Sequence, residues 1–193
     1  VLKADSESEL WEPARSVRMA PVMPVSSVLI TPVKQLEARA GLIVRLHGTE
    51  PTVEADQRTL ERYAGVSFDL VTNNDLLASI QNHAVEGKTR LIASVLPTRL
   101  PEVVSAVGRI CDADIAVDTY AGRVRVSAGD VSSEELYTLR ESIESLGGSL
   151  TVWAAEGADQ TLSSSRKSDV VEALSSRLEH VFDPKGVMWP QRL

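Results

Sequence analysis

Residues 132–155 read SSEELYTLRESIESLGGSLTVWAA, and this stretch decides the fold. Ser132 and Glu135 stand in capping-box spacing, in which the serine hydroxyl takes the amide of the third helical residue and the glutamate reaches back to the cap amide. The spacing predicts a helix starting there and running to Gly147-Gly148, a pair suited to a helix C-terminus. Ser149 to Ala155, SLTVWAA, then reads as a strand.

Working outward, Thr89 to Pro97 (TRLIASVLP) is a strand, Leu100 to Cys111 a helix, and Asp114 to Ala128 two strands that turn at Tyr120-Ala121-Gly122-Arg123. The order is βαββαβ, the split βαβ or ferredoxin-like unit, with an antiparallel sheet and two helices on one face. The fold class is therefore α+β. Upstream, Val25 to Val33 and Gly41 to His47 form a hairpin in which Leu42, Val44 and Leu46 alternate with Ile43, Arg45 and His47. Thr49 starts a helix, with Pro51 near its first position and Val53, Leu60 and Tyr63 near one face. Val66 to Val71 reads as a short strand, and Asn73-Asn74-Asp75 caps a helix through Leu76, Leu77, Ile80 and Val85. These elements make a partial second copy of the same unit, without a sequence repeat.

Three regions follow. Residues 1–24 form an N-terminal connector, with a short helical turn at Leu10 to Val17 and a proline-punctuated Ala20-Pro21-Val22-Met23-Pro24. Residues 25–155 form the ferredoxin-like domain. Residues 156–193 hold a linker rich in Gly, Ser and Ala, a helix from Ser168 to Phe182, and a tail in which Asp183-Pro184 ends the helix and Lys185-Gly186 turns the chain.

The 193 residues carry a net charge of -7, with no basic stripe interleaved with aromatics, which argues against nucleic acid as a partner. No apolar run approaches the ~20 residues that span a bilayer, and no signal pattern opens the chain, so a cytoplasmic setting is expected. The single cysteine, Cys111, excludes an internal disulfide and a cysteine-built metal site, and reads as a structural thiol. There is no phosphate loop, GxGxxG, GxSxG or HExxH. His47, His83 and His180 are isolated in sequence. Arg90, at the start of a strand, either clamps a carboxylate through two parallel hydrogen bonds or pairs with an acid on a neighbouring strand. Arg123 and Arg125 share one face of their strand, and Glu134 and Glu135 sit where a helix macrodipole favours acids.

Several stretches taken together resemble the C-terminal part of FAD-linked oxidases of the vanillyl-alcohol oxidase class, most closely the FAD-binding subunit of bacterial glycolate oxidase. MPVSSVLI followed by GLIVRLHGTEPTVEA is similar to the family's strand pair and helix, and RLIASVLPTRLPEVV to its strand ending in Ser-Val-x-Pro-Thr-Arg. SIESLGGSLTVWAA resembles its closing strand, and LSSRLEHVFDPKGVMWP the signature tail. The resemblance implies a cap domain whose N-terminal partner binds FAD, a 2-hydroxy acid substrate such as glycolate or lactate, and hydride transfer to flavin. The fragment alone would be inactive, and its partners would be the FAD-binding domain and other glycolate oxidase-type subunits. Arg90 would bind the substrate carboxylate. Asp183, Lys185, Gly186, Trp189 and Pro190 would contact FAD or its domain, although Met188-Trp189-Pro190-Gln191 stands where the family has Asn-Pro-Gly. The family's histidine metal motif is missing, so no metal is expected. The other classes are a stand-alone ferredoxin-like ligand-binding or assembly module and a non-catalytic subunit of a glycolate oxidase-like complex.

Overall fold

The computed structural model describes residues 1–33, 38–71, 83–84, 86–154, 177, 181 and 182. The strands are β1 (Leu2–Ala4), β2 (Ser26–Thr31), β3 (Ala40–Arg45), β4 (Thr89–Ser94), β5 (Ala113–Asp118), β6 (Arg123–Ala128) and β7 (Ser149–Ala154). The α-helices among the described residues are α1 (Trp11–Met19), α2 (Glu50–Ala64), α3 (Leu100–Ile110) and α4 (Ser133–Ser145). One sheet holds these seven strands, in the order β1-β3-β2-β5-β6-β4-β7, and each of their pairings is antiparallel. The α+β class and the antiparallel sheet with helices on one face are as the sequence indicates.

From β4 onward the chain is β4-α3-β5-β6-α4-β7, and its strands lie in the order β5-β6-β4-β7. That is the ferredoxin-like arrangement, the fourth strand beside the first and the third between the first and second. The first half repeats it as β1-α1-β2-β3-α2, with β3 between β1 and β2. The two units join through their second strands, where β2 pairs with β5 from Val28↔Asp118 to Thr31↔Ile115. Beyond that ladder, the buried Thr119 hydroxyl donates to the Ser27 carbonyl at 3.1 Å and lies 2.8 Å from the Ser27 hydroxyl, so this polar pair at the junction is satisfied.

Residues 1–24 supply a strand and a helix of this fold. Leu10, Ala14 and Val17 fall on one face of a 3-10 turn continued by α1 and are buried in the main core. Pro13 lies in the first turn of α1, where its missing amide hydrogen breaks no helical bond. Val66 to Val71 forms no regular strand. At Asp69 it makes a reciprocal backbone exchange with Val1: the Asp69 amide donates to the Val1 carbonyl at 2.8 Å and the Val1 amine to the Asp69 carbonyl at 2.7 Å. This is the place of the fourth strand of the first unit. Tyr63 is exposed although Leu60 is buried, so the buried face of α2 is narrower than its spacing indicates. The helix expected after Asn73 lies outside the described residues. So does most of the C-terminal helix, of which Arg177, Val181 and Phe182 are described, as helical.

Period-two alternation assigns the sheet faces. Leu29, Leu42, Leu91, Ala93, Ile115, Val117, Val124, Val126, Leu150 and Val152 point to the helices and form one core with Leu60, Val103, Val107, Leu136, Leu139 and Ile143. The alternate residues form the opposite face, helix-free among the described residues. α4 carries the full capping box: the Ser132 hydroxyl accepts from the Glu135 amide at 3.3 Å, and the Ser132 amide donates to Glu135 Oε2 at 2.8 Å. Thr49 takes the matching N-cap position of α2 without a side-chain capping bond, its hydroxyl lying 2.9 Å from that of Thr52.

Candidate functional site

The helix-free face is built differently in the two units. Over the first, Ile30, Val33, Ile43, Ala84 and Ala116 make a second small core with Val1, Val28 and Ala38. Over the second, the same strand positions are mostly polar. Register sets them in rows: Asp114, Ser127 and Arg90 side by side; then Ala116, Arg125, Ile92 and Thr151; then Asp118, Arg123, Ser94 and Ser149. Neighbouring strands lie ~4.8 Å apart, so each row is a line of side chains within mutual reach.

Arg90 occupies β4, which is paired on both sides, by β6 and β7. Its Nε is buried and has no hydrogen-bond partner among the described residues. An unsatisfied donor on a charged group carries its desolvation cost uncompensated, and such an atom in a native fold calls for a ligand or a strain explanation. The neighbouring-strand ion pair, the other reading of Arg90, is not formed among the described residues. Next to Arg90 the ladder slips: Leu91 pairs with Val152 and Arg90 with Ala154, leaving Trp153 as the extra residue of a bulge, 69% exposed. Bulges recur beside active sites because they re-aim side chains.

The far end of the face is fixed by the turn from β5 to β6. Asp118 Oδ1 accepts the amides of Tyr120 and Ala121 at 3.0 and 2.8 Å, and Gly122 closes the turn at φ 65°. Any side chain at Gly122 would strike the Val95 carbonyl. The near end is an open pocket of about 330 Å³ lined by Glu86, Gly87, Asp112, Asp114, Ser127 and Gly129, with Pro32 and two alanines. On the helix side, a groove of about 280 Å³ separates α1 from the start of α3, with Trp11, Arg15, Arg18 and Thr98 in its wall. Arg18 there donates to the Thr119 carbonyl at 3.3 Å.

The remaining sequence candidates do not converge on this face. Cys111 is half-buried, with its thiol 3.8 Å from the Val107 carbonyl. Desolvation, aided by the Glu135 and Asp112 carboxylates, raises its pKa above the usual thiol value, the opposite of an activated nucleophile. His47 is exposed, and His83 Nε2 lies 3.3 Å from the Thr31 carbonyl. Glu134 is exposed at the start of α4, and Glu135 serves the cap there, the Ser132 amide and hydroxyl holding its carboxyl below the usual range. His180, Asp183, Lys185, Gly186, Trp189 and Pro190 lie outside the described residues. Arg123 and Arg125 do share the helix-free face, the first exposed and the second partly buried.

Sequence reasoning missed Trp153, Ser127 and Gly87. Trp153 had a signal, because a tryptophan on the polar phase of SLTVWAA has no place in the core. The other two matter only through tertiary contact. Among the described residues, no group of three or more His, Cys, Asp and Glu is placed to hold a metal ion, and no helix is long and apolar enough to cross a membrane. No protein-family model matches the chain, and no curated protein matches it.

Proposed function

We propose that this chain is the cap domain of an FAD-linked oxidase of the vanillyl-alcohol oxidase class that acts on a 2-hydroxy acid such as glycolate or lactate. In this reading the helix-free face of the second unit covers the reaction site. The observation that carries it is Arg90, whose buried, unpartnered Nε sits on a polar face flanked by a bulge. A guanidinium offers a planar fork of donors that matches a carboxylate, and a substrate carboxylate would satisfy the donor the fold leaves open. Flavin, when bound by a partner domain, supplies the acceptor for the hydride leaving the carbon that bears the hydroxyl. The residues of this chain orient the acid: Arg90 holds its charged end, Thr151 offers a hydroxyl one row away, and Trp153 supplies an apolar wall that excludes water.

The donor set suits the substrate end of such a site. In this reading the dinucleotide lies on a partner domain, and the sequence of this chain holds no GxGxxG phosphate loop. The test is to purify the protein as its native gene encodes it, record its flavin absorbance, and add glycolate or D-lactate without oxygen. Bleaching of the flavin band is the expected outcome. A protein without flavin, or a flavin that neither acid reduces, removes this reading.

A further inference from the structure

We propose that the acid taken by the helix-free face carries a branched apolar substituent on C2, so that an aliphatic 2-hydroxy acid is preferred over glycolate. This deepens the oxidase reading and rests on it. Four side chains on adjacent strands carry the inference, Arg90 and Ile92 of β4 and Thr151 and Trp153 of β7.

Register fixes their positions. Ile92 pairs with Thr151, and Arg90 with Ala154, beside the extra residue Trp153. Residues two apart on a strand share a face at roughly 7 Å, and cross-strand partners lie roughly 5 Å apart. The four therefore ring an area little wider than a small acid. Two of them are apolar where the neighbouring positions are polar. Ile92 is half-buried and Trp153 is 69% exposed, and neither joins either of the described core clusters. In the first unit the apolar residues of this face cover one another, as Ile30, Val33, Ile43 and Ala84 do. An indole can bury about 150–250 Å² against a partner, and Ile92 and Trp153 offer such a surface next to the Arg90 Nε that has no hydrogen-bond partner among the described residues.

The corners differ in kind: a cation, a hydroxyl and an apolar pair. Carbon 2 of a substituted hydroxy acid carries a matching set, a carboxylate, a hydroxyl and a side chain, together with the hydrogen that leaves. Glycolate has hydrogen in place of the side chain, so it reaches Arg90 and Thr151 and leaves Ile92 and Trp153 in water. With all three groups seated, the hydrogen points away from the sheet in one enantiomer and into it in the other. The site therefore selects a hand as well as a side chain. The reaction keeps its balance: the C2 hydrogen leaves as hydride to the flavin, the hydroxyl gives up its proton, and a 2-oxo acid remains.

The experiment is anaerobic stopped-flow reduction of the flavin, in the protein as its native gene encodes it, by glycolate and by each enantiomer of 2-hydroxy-4-methylpentanoate. One enantiomer should reach half its maximal rate at about a tenth of the glycolate concentration, the low end of what an apolar contact yields, and its mirror image should react at least about tenfold less efficiently. Trp153→Ala and Ile92→Ala should each lower the ratio of second-order rate constants, branched acid over glycolate, by about threefold, and the double variant should bring it near one. Glycolate as efficient as the branched acid, equal rates for the two enantiomers, or a preference that survives both substitutions would each overturn the inference and leave the oxidase reading in place. A flavin that none of these acids reduces would overturn the reading and the inference together.

Discussion

The two units share one topology and one sheet, yet they use the helix-free face in opposite ways. In the first unit that face is closed by Ile30, Val33, Ile43 and Ala84, and the position of a fourth strand is taken by a segment that bonds at Asp69 to Val1, just ahead of β1. In the second unit β4 carries Arg90, β6 carries Arg123, Arg125 and Ser127, and β7 carries Thr151 on the same face. The helix side differs as well: α3 buries five residues, whereas α2 buries only Leu60. The contrast teaches a division of labour. Among the described residues, one half of the sheet closes this face with an apolar cluster, and the other backs a polar face with well-buried helices.

The sharpest way to break this contrast is to truncate one apolar residue on each half of the face. Ile30→Ala, in the covered half, should cost about 3 kcal/mol because a fully buried isoleucine loses its contacts and leaves a cavity. Ile92→Ala, on the partly exposed half, should cost about 1 kcal/mol because water already reaches the site. Denaturant unfolding of both variants measures the pair. Equal losses would mean that the second half is covered as well.

Helix starts give a second, smaller contrast. Ser132→Ala removes the hydroxyl that accepts the Glu135 amide and should cost about 1 kcal/mol, while Thr49→Ala, which breaks no capping bond, should cost only a few tenths. Thermal unfolding of the two single variants reads the difference, and a larger loss at Thr49 would contradict the assigned caps.

These same caps show what was legible in the sequence. Ser132 with Glu135, the Gly147-Gly148 stop and the alternation in Thr89 to Pro97 carry local signals, so the second unit is readable element by element. The first unit is less so. Leu2–Ala4 is too short for a periodic signal, and its strand state depends on pairing with Ala40 to Leu42 far along the chain. Val66 to Val71 has the composition of a strand but lacks a ladder partner along most of its length, and tertiary context overrides propensity. Arg90 stood out by residue type and position. That its Nε has no partner, and that Trp153 bulges beside it, follows from the register between β4 and β7 and from no residue pattern.

The smallest expected effect is one of similarity between the halves. Glu61 accepts the Phe68 amide at 3.0 Å, and Glu135 accepts the Ser132 amide at 2.8 Å. The backbone bond leads in each case, with Gln57 assisting Glu61 and the Ser132 hydroxyl assisting Glu135, and both carboxyls are held below the ordinary value of 4.5. Because the folded pKa is depressed, the stabilisation is present above 4.5 and is lost as pH falls through the lower folded value. Carboxyl titration by NMR should place both midpoints below 4.5, and a midpoint at or above it would dissolve the corresponding bond in solution.

The most direct test of the account is Arg90→Met in the protein as its native gene encodes it, with folding stability and steady-state kinetics on glycolate or lactate measured on the same sample. If the fold holds Arg90 for a substrate, removing a guanidinium whose buried Nε has no partner should leave stability unchanged or raise it by about 1 kcal/mol. The KM for the acid should rise at least about tenfold, as loss of a charge-assisted carboxylate contact requires. A large loss of stability with an unchanged KM would make Arg90 a structural residue and contradict the account.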